Sequence, residues 1–249
     1  MKPARLFLVF SLKEIKDTFF SKTALLFIIL INPITGYGFF TAVTLYSEQS
    51  IAAVDNPLYA RGFEPVPGVF GPTYGGLFVF FSLFLPFVII PLISLEKEHN
   101  TISILTQLPF SLEGIFMAKV LASFLFLLFV FPLTSPCIIL WRIYGGHIPT
   151  REIILLVLGY LLYGMFFVSV SFFSASLFES TASASIFSIF VIILSWVVDF
   201  GRNMSTSSFL SSVSKWTVVR ILKYFENGIL SFTAVMYFVL VCSVFFAVA

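Results

Sequence analysis

The chain has 249 residues, of which 59% are hydrophobic and only 10% charged, and its mean hydropathy is +1.06. Soluble domains carry about 25% charged residues, so a water-soluble fold is excluded and lipid must be the solvent. A net charge of +2 is too small to attract nucleic acid.

In chain order, the apolar stretch Leu6–Leu12 is followed by Lys13, Glu14, Lys16 and Asp17, and no small-residue cleavage site follows. A cleavable leader is therefore not expected. Leu8, Leu12, Ile15 and Phe19 fall on one helical face, with Lys13, Lys16 and Asp17 away from it. Residues 1–22 read as an amphipathic helix lying in the membrane surface, with Lys13 and Lys16 as anchors. A plain extension of the first span is the other reading.

A bilayer core about 30 Å thick needs about 20 apolar residues as a helix. Six stretches qualify or nearly do: Thr23–Tyr46, Tyr74–Leu95, Val120–Trp141, Ile153–Phe178, Ala182–Val198 and Leu230–Val248. Inside lipid every backbone group must be bonded internally, so the spans are helices. The predicted fold is an all-α integral membrane protein: six transmembrane helices over residues 23–249, preceded by the interfacial helix. Prolines 33, 86, 91, 132 and 136 fall inside spans and predict kinks. Asn32 is the one strongly polar amide in the first span; it either lines a pathway or, as the favoured reading, makes an interhelical hydrogen bond. Cys137 and Cys242 both lie in apolar runs and read as small buried hydrophobes.

Lys and Arg divide evenly between the two sides. The first span is preceded by Lys2, Arg5, Lys13, Lys16 and Lys22 and followed only by Arg61, which places the N-terminus in the cytoplasm. Two outer segments result. Residues 47–73, with Pro57, Pro65, Pro67, Gly68, Gly71 and Pro72, read as an irregular loop. In residues 202–229, Phe209, Val213, Trp216 and Val219 recur at helical spacing and predict an outer interfacial helix anchored by Trp216.

The most informative segment is the cytoplasmic loop 95–119. It opens with Glu96-Lys97-Glu98, and Asn100 or Thr101 can cap a short helix. Ile102, Leu105 and Leu108 then form an apolar stripe that Pro109 ends. Negative charge at Glu96 and Glu98 complements the start of that helix. The stripe wants either a protein groove or the lipid surface.

The string Glu96-x-Glu98-x-Asn100-Thr101-Ile102-x-x-Leu105-x-x-x-Pro109-Phe110-Ser111, with Lys119 before the third span, resembles the first cytoplasmic loop of type-2 ABC transporter permeases. That family often has Gly where this chain has Asn100. Leu12-Lys13-Glu14-Ile15-Lys16 resembles the family's N-terminal surface helix. Residues 224–230, Tyr-Phe-Glu-Asn-Gly-Ile-Leu, resemble the entry to the sixth span in its gliding-motility and copper-enzyme-maturation subgroup. The resemblance implies a half-transporter in the cell membrane, paired with a second permease copy and two cytoplasmic ATPases. An extracytoplasmic accessory protein is a further possible partner. It makes the 95–119 loop the coupling helix, through Glu96, Glu98, Asn100, Thr101, Ile102, Leu105, Leu108 and Pro109. The turn holding Glu179 becomes a second, smaller contact. ATP and Mg would be bound by the partner, because this chain has no Gly-rich phosphate loop. No cofactor is expected on this chain.

Enzyme signatures are missing from the sequence. There is no H-E-x-x-H, C-x-x-C or G-x-S-x-G, and the only histidines, His99 and His147, lie in loops on opposite sides. An ion-coupled carrier or channel should show buried charges or paired repeats. A structural membrane subunit without transport is the third class.

Overall fold

The computed structural model describes residues 3–55, 64–101, 111–201 and 216–249, and every regular element among them is helical. Helix α1 spans Pro3–Phe19, α2 Lys22–Asp55, α3 Gly71–Ile89, α4 Pro91–Glu98 and α5 Leu112–Val130. Then come α6 Ser135–Ile143, α7 Thr150–Leu177, α8 Thr181–Gly201, α9 Val218–Glu226 and α10 Phe232–Val248. Five segments are long and apolar enough to cross a bilayer: Lys22–Val54, Val66–Glu98, Leu112–Ile143, Thr150–Leu177 and Thr181–Phe200. The architecture is that of a multi-pass membrane protein. α10, with 17 residues, is shorter.

Prolines punctuate these segments. Pro65 and Pro67 stand at the entry to a π-helical turn, Val66–Phe70, which runs into α3. A missing N–H costs nothing in a first helical turn. Pro91 opens α4 immediately after Ile90, Pro132 sits in a 3-10 turn, Phe131–Thr134, and Pro136 lies in the first turn of α6. Pro33 and Pro86 are carried inside α2 and α3.

The outer loop predicted for residues 47–73 is largely helix instead. α2 continues through Ser47–Asp55, and a helical run resumes at Pro65. The polar cluster Ser47-Glu48-Gln49 marks where the apolar pattern stops, but it contains no helix breaker before Pro57. The register predicted for residues 209–219 also changes. Phe209 and Val213 lie outside the described residues. Thr217 is extended and begins α9 after Trp216, so Trp216 and Val219 do not share one helical face. α9 instead turns Val218, Leu222 and Phe225 inward.

α7 is the central helix, touching α3, α5, α8, α9 and α10. Tyr160, Tyr163, Phe167 and Phe172 are fully buried along it. Tyr163 stacks on Phe78 at 4.7 Å and Phe78 on Trp196 at 4.6 Å, which joins α7, α3 and α8 through one pile of rings. Gly159 and Gly164 let neighbours approach: a Cβ on Gly159 would stand 2.4 Å from Phe225, and one on Gly164 3.2 Å from Leu127.

α1 is turned inside out relative to a soluble helix. Ser11, Glu14 and Thr18 are buried on the side facing α5, whereas Leu8 and Leu12 are each 58% exposed. Lys13, Lys16 and Asp17 are exposed, as their spacing predicts. Next to lipid an outward apolar side chain costs nothing, whereas a polar group needs a partner inside the protein.

Candidate functional site

The base of the 95–119 loop is where charges converge. Lys119 lies within α5 and is 3% exposed. Its ammonium donates to Glu14 Oε2 at 3.0 Å, Glu96 Oε1 at 2.7 Å and the Leu92 carbonyl at 2.7 Å. All three protons of the group are thereby used. One cation ties α1, α4 and α5 together, although Glu14 and Lys119 stand far apart in the chain. Lys13 flanks this cluster, 3.4 Å from Glu14 and 3.5 Å from Asp17. Partial burial disfavours the Lys13 charge, but Glu14 and Asp17 outweigh it and hold the ammonium above its usual range. The Phe10 ring lies under both cations, 5.5 Å from Lys13 and 6.0 Å from Lys119.

The next two residues reach the other helices. Lys97 Nζ donates to the carbonyls of Ala175 at 2.5 Å and Ser176 at 2.8 Å, the free acceptors at the end of α7. Glu98 Oε1 accepts from the Thr181 backbone N–H at 2.6 Å, at the start of α8. Each charge meets the helix end of opposite sign. Three consecutive residues, Glu96-Lys97-Glu98, therefore bind α5 (and through Lys119 reach α1), then α7, then α8.

α4 stops in a defined way. Thr101 N–H bonds the Glu96 carbonyl at 2.9 Å and Asn100 N–H bonds the Lys97 carbonyl at 3.1 Å, with Asn100 at φ +53°. This is a Schellman turn, whose left-handed position favours Gly and then Asn. Asn100 thus closes the helix before it. Across the gap in the described residues, Ser111 caps α5 by accepting from Gly114 N–H at 3.2 Å.

A cleft of 740 Å³ opens beside this seam, lined by Lys97, Glu98, Asn100, the chain from Ser176 to Phe178, Glu179 and Ser180. Of the residues singled out from sequence, the fold brings Glu98, Asn100 and Glu179 around this one cleft. Glu96 faces the other way, into the Lys119 cluster. Thr101 is half-buried beside Asn100 and bonds the Glu96 carbonyl through its hydroxyl at 3.2 Å. Ile102, Leu105, Leu108 and Pro109 lie outside the described residues. Trp216 sits at the opposite end, 70% exposed, with its carbonyl accepting from the Tyr237 hydroxyl.

Sequence reasoning singled out neither Glu14 nor Lys97 as a site residue, and it used Lys119 only as part of a motif. Lys119 carried a signal: it lies seven residues into a helix whose following residues are all apolar or small, where a cation needs an internal partner. Among the described residues no three His, Cys, Asp or Glu side chains converge as metal ligands.

The chain matches no family model, no curated protein and no solved structure.

Proposed function

We propose that this chain is the permease subunit of an ABC transporter of the type-2 class, converting ATP hydrolysis by two cytoplasmic partner subunits into rearrangement of its helices. The supporting observation is the Glu96-Lys97-Glu98 seam. A pull on the 95–119 loop would be transmitted at its base to α1 and α5 through Lys119, to α7 through Lys97 and to α8 through Glu98. That is the wiring a coupling loop requires. The 740 Å³ cleft beside Glu98, Asn100 and Glu179 gives a partner a second foothold.

In this reading α10 is the sixth span and α1 lies in the interface, with its Leu8 and Leu12 face in lipid. The N-terminus and the Lys119 end are cytoplasmic, in the cell membrane. A second permease copy completes the pathway, an accessory protein on the far side is a possible further partner, and ATP and Mg stay on the ATPases. The chain itself is not an enzyme. The ion-coupled carrier or channel and the structural subunit remain the competing readings.

The test is a charge on the loop's apolar stripe. Burying a large aliphatic side chain contributes roughly 1.5–3 kcal/mol, so Leu105→Asp should strip the complex of co-purified ATPase while the chain still inserts. Tyr144→Ala, exposed at the opposite end, should change nothing. If no ATPase co-purifies with the unaltered chain from mild detergent, the reading fails.

A further inference from the structure

α2 runs Lys22–Asp55, and its apolar stretch lies between Lys22 and the polar cluster at Glu48. Asn32 is ten residues beyond Lys22, about 15 Å along the helix, which is the middle of a hydrocarbon core about 30 Å thick. The amide does not point into the bundle. Asn32 is exposed, while its neighbours Ile31 and Thr35 are buried at 0% and 2%. Among the described residues nothing bonds its side chain. A bare amide at that depth costs several kcal/mol, so it needs a partner from outside this chain.

The other polar side chains on the exposed side of α2 lie at other depths and other angles around the helix. Thr41 and Thr44 satisfy their hydroxyls on the carbonyls of Tyr37 and Phe40, each at 2.9 Å. Tyr37 lies further along towards the far interface, where a phenol tip reaches water. One turn after Asn32 stands Gly36, beside which a Cβ would meet no atom within 4 Å. A second helix can approach the α2 backbone closely there. An amide is donor and acceptor at once. Two copies related by a two-fold axis therefore satisfy each other, Asn32 to Asn32, with no other chemistry supplied.

We infer that α2 carries a homodimer contact centred on Asn32, in which the amides of two copies pair across the two-fold axis at the bilayer midplane. This deepens the second-copy part of the proposed function and rests on that reading. It assigns the residue that sets the register of the pair.

The experiment uses the full chain with Cys137 and Cys242 replaced by Ala. In native membranes treated with copper phenanthroline, Asn32→Cys should form a disulfide-linked dimer, and Ile31→Cys, at the same depth but buried, should not. In lipid vesicles, dilution followed by energy transfer reads the dimer dissociation constant. Asn32→Leu should raise it roughly five- to thirty-fold, the worth of one or two interhelical hydrogen bonds, whereas Asn32→Gln, which keeps the amide, should retain most of the affinity. Absence of the cross-link, or an Asn32→Leu chain that dimerises like the unaltered one, overturns the inference. So does rapid modification of Asn32→Cys by a membrane-impermeant thiol reagent, which would put the amide on a water-filled path. Failure here is separable from failure of the transporter reading. Co-purified ATPase without the Asn32 cross-link sinks this inference alone, and the cross-link without any ATPase sinks the transporter alone.

Discussion

The two ends of the bundle are held together by different chemistry. At the loop end, Glu14, Glu96, Lys97, Glu98 and Lys119 join α1, α4, α5, α7 and α8 through charge-assisted bonds of 2.5–3.0 Å. At the other end, α9 lies on α7 by shape: Val218, Leu222 and Phe225 turn inward, and the Phe225 ring fills the space over Gly159. Polar contacts there are fewer among the described residues: Glu226 accepts from Tyr160 at 2.7 Å, and Asp199 accepts from Thr217 at 3.0 Å and stands 4.0 Å from Lys223. Charge-assisted bonds hold one geometry, whereas apolar contact is non-directional. The loop end is therefore held chiefly by directional charged bonds, and the α9–α7 contact chiefly by close apolar packing.

The largest effect should come from breaking the charged end. Lys119→Met removes the cation from Glu96 and leaves Glu14 with only the longer contact to Lys13, in a site where Lys119 and Glu14 are almost fully buried. Removing one partner of a buried ion pair costs about 3–5 kcal/mol. The melting temperature in detergent should fall steeply, and much of the loss should return in the triple variant with Glu14→Gln and Glu96→Gln. A Lys119→Met protein that melts like the unaltered chain would remove the contrast between the ends.

A smaller loss is expected from overfilling the far end. In Gly159→Ala the new methyl meets Phe225 at 2.4 Å, against a Cβ that cannot swing away. Overpacking of this kind costs typically about 1–3 kcal/mol. Thermal unfolding measures it, and Phe225→Ala added to Gly159→Ala should not restore the loss, because alanine keeps the Cβ that the new methyl meets and leaves a cavity where the ring stood.

pH separates the ends further. Burial pushes the Glu226 carboxyl above its usual range, and the Tyr160 hydrogen bond and Lys223 only partly oppose that. The folded chain then holds the proton more tightly than the unfolded chain does. Stability falls as pH rises from the ordinary carboxylate value of 4.5 through the raised one, and the low-pH side is the favoured one. Glu226→Gln should flatten that slope in melting curves taken across the window. An unchanged slope would show that the carboxyl is not desolvated by α7.

Much of this fold was legible in the sequence. Long apolar runs between polar clusters located the helices, because lipid leaves the backbone no other way to satisfy itself. Helix ends were less legible: α2 outran its apolar stretch because residues 47–55 contain no breaker. Facing was the least legible. The residues of the 4-3-4 spacing do fall on a helix, Pro3–Phe19, but spacing does not say whether a polar side chain meets water or protein. Here Lys13 and Lys16 meet solvent and Glu14 meets Lys119. The site divided in the same way. Glu98, Asn100 and Glu179 converge on one cleft, whereas the Glu14–Lys119 pair joins residues on different helices, and no local spacing encodes that meeting.

The smallest effect concerns the turn that both ends share. Among the described residues three helices end in Schellman turns: α4 at Asn100, α6 at Gly145 and α9 at Gly228, with left-handed φ of +53°, +83° and +68°. A left-handed position of this kind takes Gly or Asn. Asn adopts this region far more readily than other side chains do. Asn100→Gly should keep the turn intact, because Gly takes this φ without strain, and should cost only what the Asn100 side chain itself contributes. The reverse exchange is not equivalent. At Gly228 an added Cβ would stand 2.9 Å from Glu152 Cγ, on the first turn of α7. Gly228→Asn fits the backbone yet crowds that side chain, so it should cost about 1 kcal/mol. Paired melting curves of the two variants read the asymmetry. Equal effects would mean that φ alone governs both turns, and that the far end is no more tightly fitted around its glycines than the loop end is around Asn100.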